Sequence, residues 1–309
     1  MNNEKPICKI CDLDFTEDSG LHRHLRSHGL TVLDYYRAHY PRYDKLTGEL
    51  IEFKNKEHYF SSDFNCKNNL KKYLESVSKE AGLDYLVDFL IKRKQSKSLI
   101  YSMGQFECRT LKFPSIKFIE KYYGSGSYNN LCLRAGLINR FDYRQELSFE
   151  NRELEFVVDS REKAILKVPI KEIKKIDAGD YTIEGSNICI ERKGIADFCG
   201  SVGKNFDRLC RELDRAKSNG IYIVILIEEK FENLNSLAYL PHTKHIRATS
   251  EFILHRARDI ARLYPLTCQI VCCDGRKHAA EVVNKIFLMR NNVQTVDLQF
   301  TIDSNIIYV

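Results

Sequence analysis

The spacing of apolar residues divides the chain into stretches of strand period and stretches of helix period. Near the middle, Tyr181-Thr182-Ile183-Glu184 and Asn187-Ile188-Cys189-Ile190 alternate polar with apolar residues around Gly185-Ser186, the pattern of two strands joined by a two-residue turn. Residues 154–159, 221–227 and 267–273 form apolar runs of strand length, and residues 206–216, 250–264 and 277–289 repeat at helical spacing. This alternation predicts an α/β domain, a central mixed sheet with helices on both faces. Residues 65–140 read as helical: Leu70, Tyr73, Leu74 and Val77 recur at helix spacing, as do Leu83, Leu86, Val87, Leu90 and Ile91. The second of these helices ends in Lys92-Arg93-Lys94 and Lys97, where cations suit the helix dipole; the cluster reads as a solvated helix end or, more sharply, as a phosphate clamp. Residues 114–137 read as helix, glycine turn, helix, glycine stop. Residues 40–64 are turn-rich and aromatic, a small irregular core, and 141–152 are charged and aperiodic, a linker.

The hairpin register carries chemistry. Pairing Ile183 with Ile188 and Tyr181 with Ile190 sets Asp180 directly opposite Glu191. Strand side chains alternate faces, so Asp180, Glu191 and Lys193 share one side, and Tyr181, Ile183, Ile188, Ile190 and Arg192 the other. Two carboxylates paired across strands lie roughly 5 Å apart at their β-carbons, and at an effective dielectric near 20 they repel by about 3 kcal/mol. A divalent cation removes that penalty, and Mg2+ or Mn2+ prefers such hard oxygen ligands. Lys193 points at the same spot, placed to orient the attacking water or to steady negative charge in the transition state. Asp followed by Glu-x-Lys on adjacent strands is a layout for phosphodiester hydrolysis. A solvated charged face is the plain alternative.

Charge permits the same partner without demanding it: 48 Lys+Arg against 42 Asp+Glu leave a net +6 among 309 residues, compatible with nucleic acid. The longest strongly apolar run, 221–227, is far too short to span a bilayer, and the N-terminal Met1-Asn2-Asn3-Glu4-Lys5 is not a secretory signal. Cysteines number eleven, an odd count, and Cys189, Cys268 and Cys272 sit at apolar strand positions, as reduced core thiols do. The expectation is a cytoplasmic protein in a reducing compartment, with no membrane partner.

Metal-ligand spacing recurs at the N-terminus. Twelve residues separate Cys11 of the Cys8/Cys11 pair from His24, and three separate His24 from His28, the spacing of a two-cysteine, two-histidine zinc finger. Phe15 and Leu21 stand where such a finger needs its core, and the two histidines lie one helical turn apart, so both face one structural Zn2+. In that register the base-reading positions are Glu17, Gly20 and Arg23. Only Arg23 suits a base edge, so the finger is expected to orient or clamp DNA rather than to read a sequence.

The acidic hairpin has further neighbours: Val158-Asp159-Ser160-Arg161-Glu162 upstream, then Gly179-Asp180, Glu191-Arg192-Lys193 and Asp197. The set resembles the XPF family of structure-specific endonucleases, whose pattern is Gly-Asp, a gap, Glu-Arg-Lys, three residues and Asp, preceded by Val-Asp-x-Arg-Glu. The resemblance covers roughly residues 152–290 and implies a restriction-endonuclease-like core. It implies that Asp180 and Glu191 hold the metal with Asp159 close by, that Lys193 is catalytic, and that Arg161, Arg192 and Asp197 support the site or contact DNA. It also implies products with a 5′-phosphate and a 3′-hydroxyl. The tandem helix-hairpin-helix module that follows this domain in the family is expected to have no room before Val309, which leaves a homodimer through the nuclease domain open.

Residues 114–137 are similar to the small repeats attached to homing endonucleases, with a Pro-Ser opening, a Gly-Ser turn and an Ala-Gly-Leu close. That resemblance implies DNA contacts from Ser127, Tyr128, Asn129, Asn130 and Arg134 on the second helix; the alternative is a helical hairpin packed on its neighbours. Lys204 and Arg208, opening the helix after Asp197, are placed to meet phosphate or to form an exposed helix end. The domain expectation is a finger with its following helix over 1–40, a helical DNA-binding region over 41–145 and a nuclease domain over 150–309. Two functions remain: a metal-dependent DNA endonuclease gripping DNA through finger and repeat, as in phage or mobile-element enzymes acting in a host cytoplasm, or a DNA-binding adaptor with an inert nuclease fold. Retention of Asp180, Glu191 and Lys193 disfavours inertness.

Overall fold

The computed structural model describes residues 6–43, 50–53, 56, 59, 67–111, 113–143, 147–148, 153–235, 237, 246, 248–305 and 307–308. The chain forms two compact units, Met1–Gly82 and Leu83–Val309.

In the first unit, Ile7 and Asp14 make an antiparallel bridge. Helix α1 (Asp18–His24) follows, extended by a 3-10 turn over Leu25–His28 that Gly29 closes at φ +67°. The Thr31 hydroxyl accepts from the Asp34 N–H at 3.2 Å and opens α2 (Val32–His39), the expected cap. Cys8, Leu21, Leu25 and Tyr35 are buried together, with Phe15 packed against them. Helix α3 (Lys67–Ser76) buries Leu70 and Leu74.

Helix α4 (Lys79–Lys97) runs through the boundary and, in the second unit, buries Leu86, Val87 and Leu90. It is followed by α5 (Gln105–Thr110), α6 (Ile116–Tyr123) and α7 (Ser127–Arg134). Gly124, Gly126 and Gly136 all have positive φ, the turn and stop expected of the glycine pattern. This hairpin is not a separate region. Helix α5 packs on α11 (Ser250–Leu263) and α13 (Leu298–Ser304), and the Gln105 N–H donates to the buried Asp297 carboxylate at 2.5 Å. The start of the expected linker is core: Phe141 and Tyr143 are buried, and Tyr143 packs on Tyr128 and Phe300. Residues 144–146 and 149–152 lie outside the described residues, as do 241–245 with their two histidines.

Two short strands, β1 (Leu147–Ser148) and β8 (Ile307–Tyr308), pair in parallel. The main sheet has β2 (Phe156–Asp159), β3 (Ile170–Lys174), β4 (Tyr181–Thr182), β5 (Ile188–Lys193), β6 (Tyr222–Ile227) and β7 (Cys268–Cys272), in the order β3-β2-β4-β5-β6-β7. Only the β2–β4 and β4–β5 pairings are antiparallel. Edge strand β3 is exposed at all five positions, so no buried alternation marked it in the sequence. Every residue of β6 is buried, each large apolar side chain contributing about 1.5–3 kcal/mol. One face of the sheet packs on α8 (Ile195–Val202), α9 (Phe206–Ser218), α10 (Phe231–Leu234) and α11. The other packs on α12 (Gly275–Leu288) and α13. The mixed sheet between two helical layers is the expected architecture.

Candidate active site

Tyr181 pairs with Ile190 in the β4–β5 ladder, which is the expected register at the carboxylates. The turn itself is displaced by one residue: the Ser186 N–H donates to the Ile183 carbonyl at 3.1 Å, and Gly185 takes φ +73°. Before β4, Gly179 has φ +74°, and a β-carbon there would stand 2.9 Å from the Ile190 carbonyl oxygen. Only glycine allows that approach. It lets the Asp180 N–H donate to the same carbonyl at 2.7 Å while the Asp180 carbonyl accepts from the Asp159 N–H at 2.9 Å. Asp180 is thus pinned by its main chain between β2 and β5.

The two faces of β5 separate as predicted. Ile188 and Ile190 enter the core beneath α12, whereas Cys189 joins the opposite core. On that opposite side the last residues open into a cleft of about 660 Å³ whose lining includes Asp180, Glu191, Lys193, Asp197 and Arg208. Lys193 Nζ donates to Glu191 Oε1 at 2.8 Å. Asp180 Oδ2 accepts the Arg192 N–H at 2.7 Å. Burial, and next the negative charge of Glu191, push the Asp180 carboxyl up to about 7. A half-buried acid raised by a second acid, with a lysine in the same cleft, is an arrangement shared by catalytic sites. Its hard oxygen donors fit a divalent cation, which would relieve the repulsion that raises Asp180.

Asp159 lines the same cleft, with its carboxylate engaged by its own neighbours. Its carboxylate is buried, Oδ1 accepting from Arg161 N and Nε and Oδ2 from Arg161 Nη2 and the Ile176 N–H, at 2.7–2.9 Å. The Arg161 hydrogen bonds hold this carboxyl well below the usual carboxylate range. With its oxygens committed, Asp159 anchors Arg161 and the loop at Ile176. Among the described residues, Asp159, Asp180 and Glu191 do not form a three-ligand cluster.

Arg192 also differs from a residue that touches substrate. Its guanidinium lies on the far side of β5, donating to Glu228 at 2.8 Å, Glu162 at 2.9 Å and the Ala164 carbonyl at 2.8 Å. It ties together acids that the sequence reading did not use. Glu162 was visible within the motif, and Glu228 as the first charge after the apolar run of β6. Glu212 and Arg215 of α9 also line the cleft, and the signal for them was their spacing of one and two helical turns from Arg208. Lys204 is exposed and is not among the lining residues. Arg208 Nε donates to Glu212 at 2.9 Å.

In the first unit, the Sγ atoms of Cys8 and Cys11 and the ring nitrogens of His24 and His28 lie within 4.8 Å of one another. Cys8 Sγ is 3.6 Å from His28 Nε2, Cys11 Sγ 3.2 Å from His24 Nε2, and the two Nε2 atoms are 3.0 Å apart. Tetrahedral Zn–S and Zn–N bonds of ordinary length need edges of about 3.3–3.8 Å, so the four donors fit Zn2+ with small adjustment. Arg23 is exposed on α1.

The repeat residues divide. Asn130 and Arg134 are exposed and Ser127 and Asn129 half-buried, but Tyr128 is fully buried, its hydroxyl donating to the Met103 carbonyl at 2.8 Å. Tyr128 is a core residue and not a DNA contact, because position two of α7 turns onto Phe113 and Tyr143. Arg134 pairs with Asp84 at 2.5 Å.

A mixed six-stranded sheet bearing this cleft between helical layers is a restriction-endonuclease-like architecture. More particularly, residues 149–295, a little under half of the chain, match the ERCC4 domain. Among solved structures, XPF from Aeropyrum pernix is similar at 20% identity, over 45% of this chain and 68% of that chain, with a TM-score of 0.33. No curated protein matches. Among the described residues, no helix is long and apolar enough to cross a membrane.

Proposed function

We propose that this protein is a divalent-metal-dependent DNA endonuclease that hydrolyses phosphodiester bonds in the cleft at the end of β5. The observation that carries the reading is the meeting of Asp180, Glu191 and Lys193 in one cleft. Asp180 and Glu191 would hold Mg2+ or Mn2+, which supplies Lewis acidity toward phosphoryl oxygen and a more acidic water. Lys193, held 2.8 Å from Glu191, stabilises charge developing on the phosphate or orients the attacking water. Arg208 and, further out, Lys204 and Arg161 take backbone phosphates, and Asp197 in the first turn of α8 completes the acidic wall. The finger, holding one Zn2+, and the exposed face of α7 with Ser127, Asn129, Asn130 and Arg134 grip the duplex. The ten described cysteines are free, which agrees with a reducing cytoplasmic compartment. Homodimerisation through the nuclease domain stays a separate proposal, tested by light scattering.

An inert adaptor is the reading opposed by the intact site. Incubating supercoiled, linear and branched DNA with and without Mg2+ separates the two. Metal-dependent cutting of any of them supports the enzyme, whereas binding without cutting on all three supports the adaptor.

A further inference from the structure

A second concentration of positive charge lies outside the cleft, where α4 and α11 approach each other. Lys97 Nζ is 3.4 Å from His255 Nε2, and Arg93 is close enough to Arg258 to disfavour its charge. Arg262, one turn beyond Arg258, extends the group along α11, whereas Arg256 projects from another side of that helix. Two acids face it: Asp259, 3.3 Å from His255 Nδ1 and 3.8 Å from Arg262 Nε, and Glu251, which acts on Arg258. Cations remain in excess.

These arginines are also poorly satisfied. The Nε–H groups of Arg93, Arg256, Arg258 and Arg262 are covered and have no hydrogen-bond partner among the described residues. Arg258 spends one Nη on the Thr110 carbonyl at 3.2 Å. Arg256 stacks 3.7 Å over the ring of Phe206, the first residue of α9. Arg208, two residues on, lines the cleft. Burial lowers the pKa of Arg93 and Arg258 from the ordinary arginine value. Like charges crowded with unmade hydrogen bonds cost stability, and a packing role alone is served by apolar side chains. A polyanion offsets the repulsion, and guanidinium forks match phosphate oxygens two at a time.

We propose that Arg93, Arg258 and Arg262, with Lys97 and His255, form a second DNA-backbone site that holds duplex phosphates beyond the scissile bond. The proposal rests on the nuclease reading and deepens it. Arg93 and Lys97 lie outside the segment that matches the ERCC4 domain, so the helical region extends the grip of the cleavage domain. The site reads no bases, because backbone contacts position DNA without specifying sequence.

The test is fluorescence anisotropy of a labelled linear duplex over a salt series, in an Asp180→Asn background that prevents cutting. The double variant Arg93→Gln/Arg262→Gln is expected to bind about tenfold more weakly at low salt, with the slope of log affinity against log salt flatter by about 2. The charge-conserving Arg93→Lys/Arg262→Lys is expected to recover most of the affinity. Lys277→Gln, on α12 across the sheet, is the control and should leave binding unchanged. Parent-like binding and slope in the Gln variant overturn the proposal, and so does weak binding in both Gln and Lys variants with lowered melting temperatures, the signature of a packing role. If the wild-type protein cuts DNA while the Gln variant binds normally, this site alone fails. If wild type neither cuts nor binds, the nuclease reading fails with it.

Discussion

The Arg192 N–H donates to Asp180 Oδ2 at 2.7 Å, while the Arg192 guanidinium, on the other face of β5, bridges Glu162 and Glu228. One residue therefore aligns the acid of the cleft and neutralises two acids behind it. Its neighbour Lys193 has its ammonium in the cleft.

This division predicts opposite phenotypes for adjacent positions. Arg192→Ala strands two partly buried carboxylates and is expected to lower stability by about 3–5 kcal/mol in urea unfolding. Lys193→Ala is expected to cost little stability and to slow cleavage by about 100-fold or more. Equal stability losses at both positions would contradict the assignment.

Asp159 gives a stability prediction tied to acid. Its folded pKa is depressed, so its contribution is complete above the ordinary aspartate value, about 3.9, and vanishes as pH falls through the lower folded value. Asp159→Ala is expected to lose about 1.5–3 kcal/mol at neutral pH, a modest figure because Arg161 is largely exposed. The gap between variant and wild type should narrow in melts below about pH 3. A loss of metal affinity with unchanged stability would instead place Asp159 in the ligand set.

Asp180 behaves in the reverse sense. Burial and the charge of Glu191 raise its carboxyl to about 7, so the metal-free folded protein holds a proton that the unfolded chain has released. Its stability should fall as pH rises from about 4 to about 7. A bound cation displaces that proton, so the rise in melting temperature on adding Mg2+ should be larger near pH 8 than near pH 6. Equal shifts at the two pH values would remove Asp180 from the metal site.

Zinc predicts a local effect. Elemental analysis should find one Zn2+ per chain, lost in His24→Ala, and a chelator should abolish amide-exchange protection across α1 and α2, since a finger this small depends on its metal. Protection retained without zinc would show that Leu21, Leu25 and Tyr35 suffice as a core.

The parts of this structure legible in the sequence are those governed by periodicity and pairing. Alternation around the hairpin located Tyr181 against Ile190, and with it the facing acids. The apolar runs of β6 and β7 announced buried central strands. Strand β3 escaped because an edge strand with both faces exposed has no hydrophobic alternation. Tyr128 escaped because an aromatic residue at the start of a helix reads alike whether it faces DNA or a core, and only the rings of Phe113 and Tyr143 decide it. Asp159 was legible as functional but not as an anchor, because its hydrogen bonds come from a side chain and a backbone loop whose fold no motif specifies. The arginines of α4 and α11 lie far apart in sequence and become a cluster only when the helices meet.

The most direct test of the central claim is the rate at which supercoiled plasmid is nicked or linearised in Mg2+ by wild type, Asp180→Ala and Lys193→Ala, each verified as folded. The expected result is cutting by wild type and its loss, by about 100-fold or more, in both variants. Cutting that survives both substitutions would show that hydrolysis, if it occurs in this protein, takes place elsewhere.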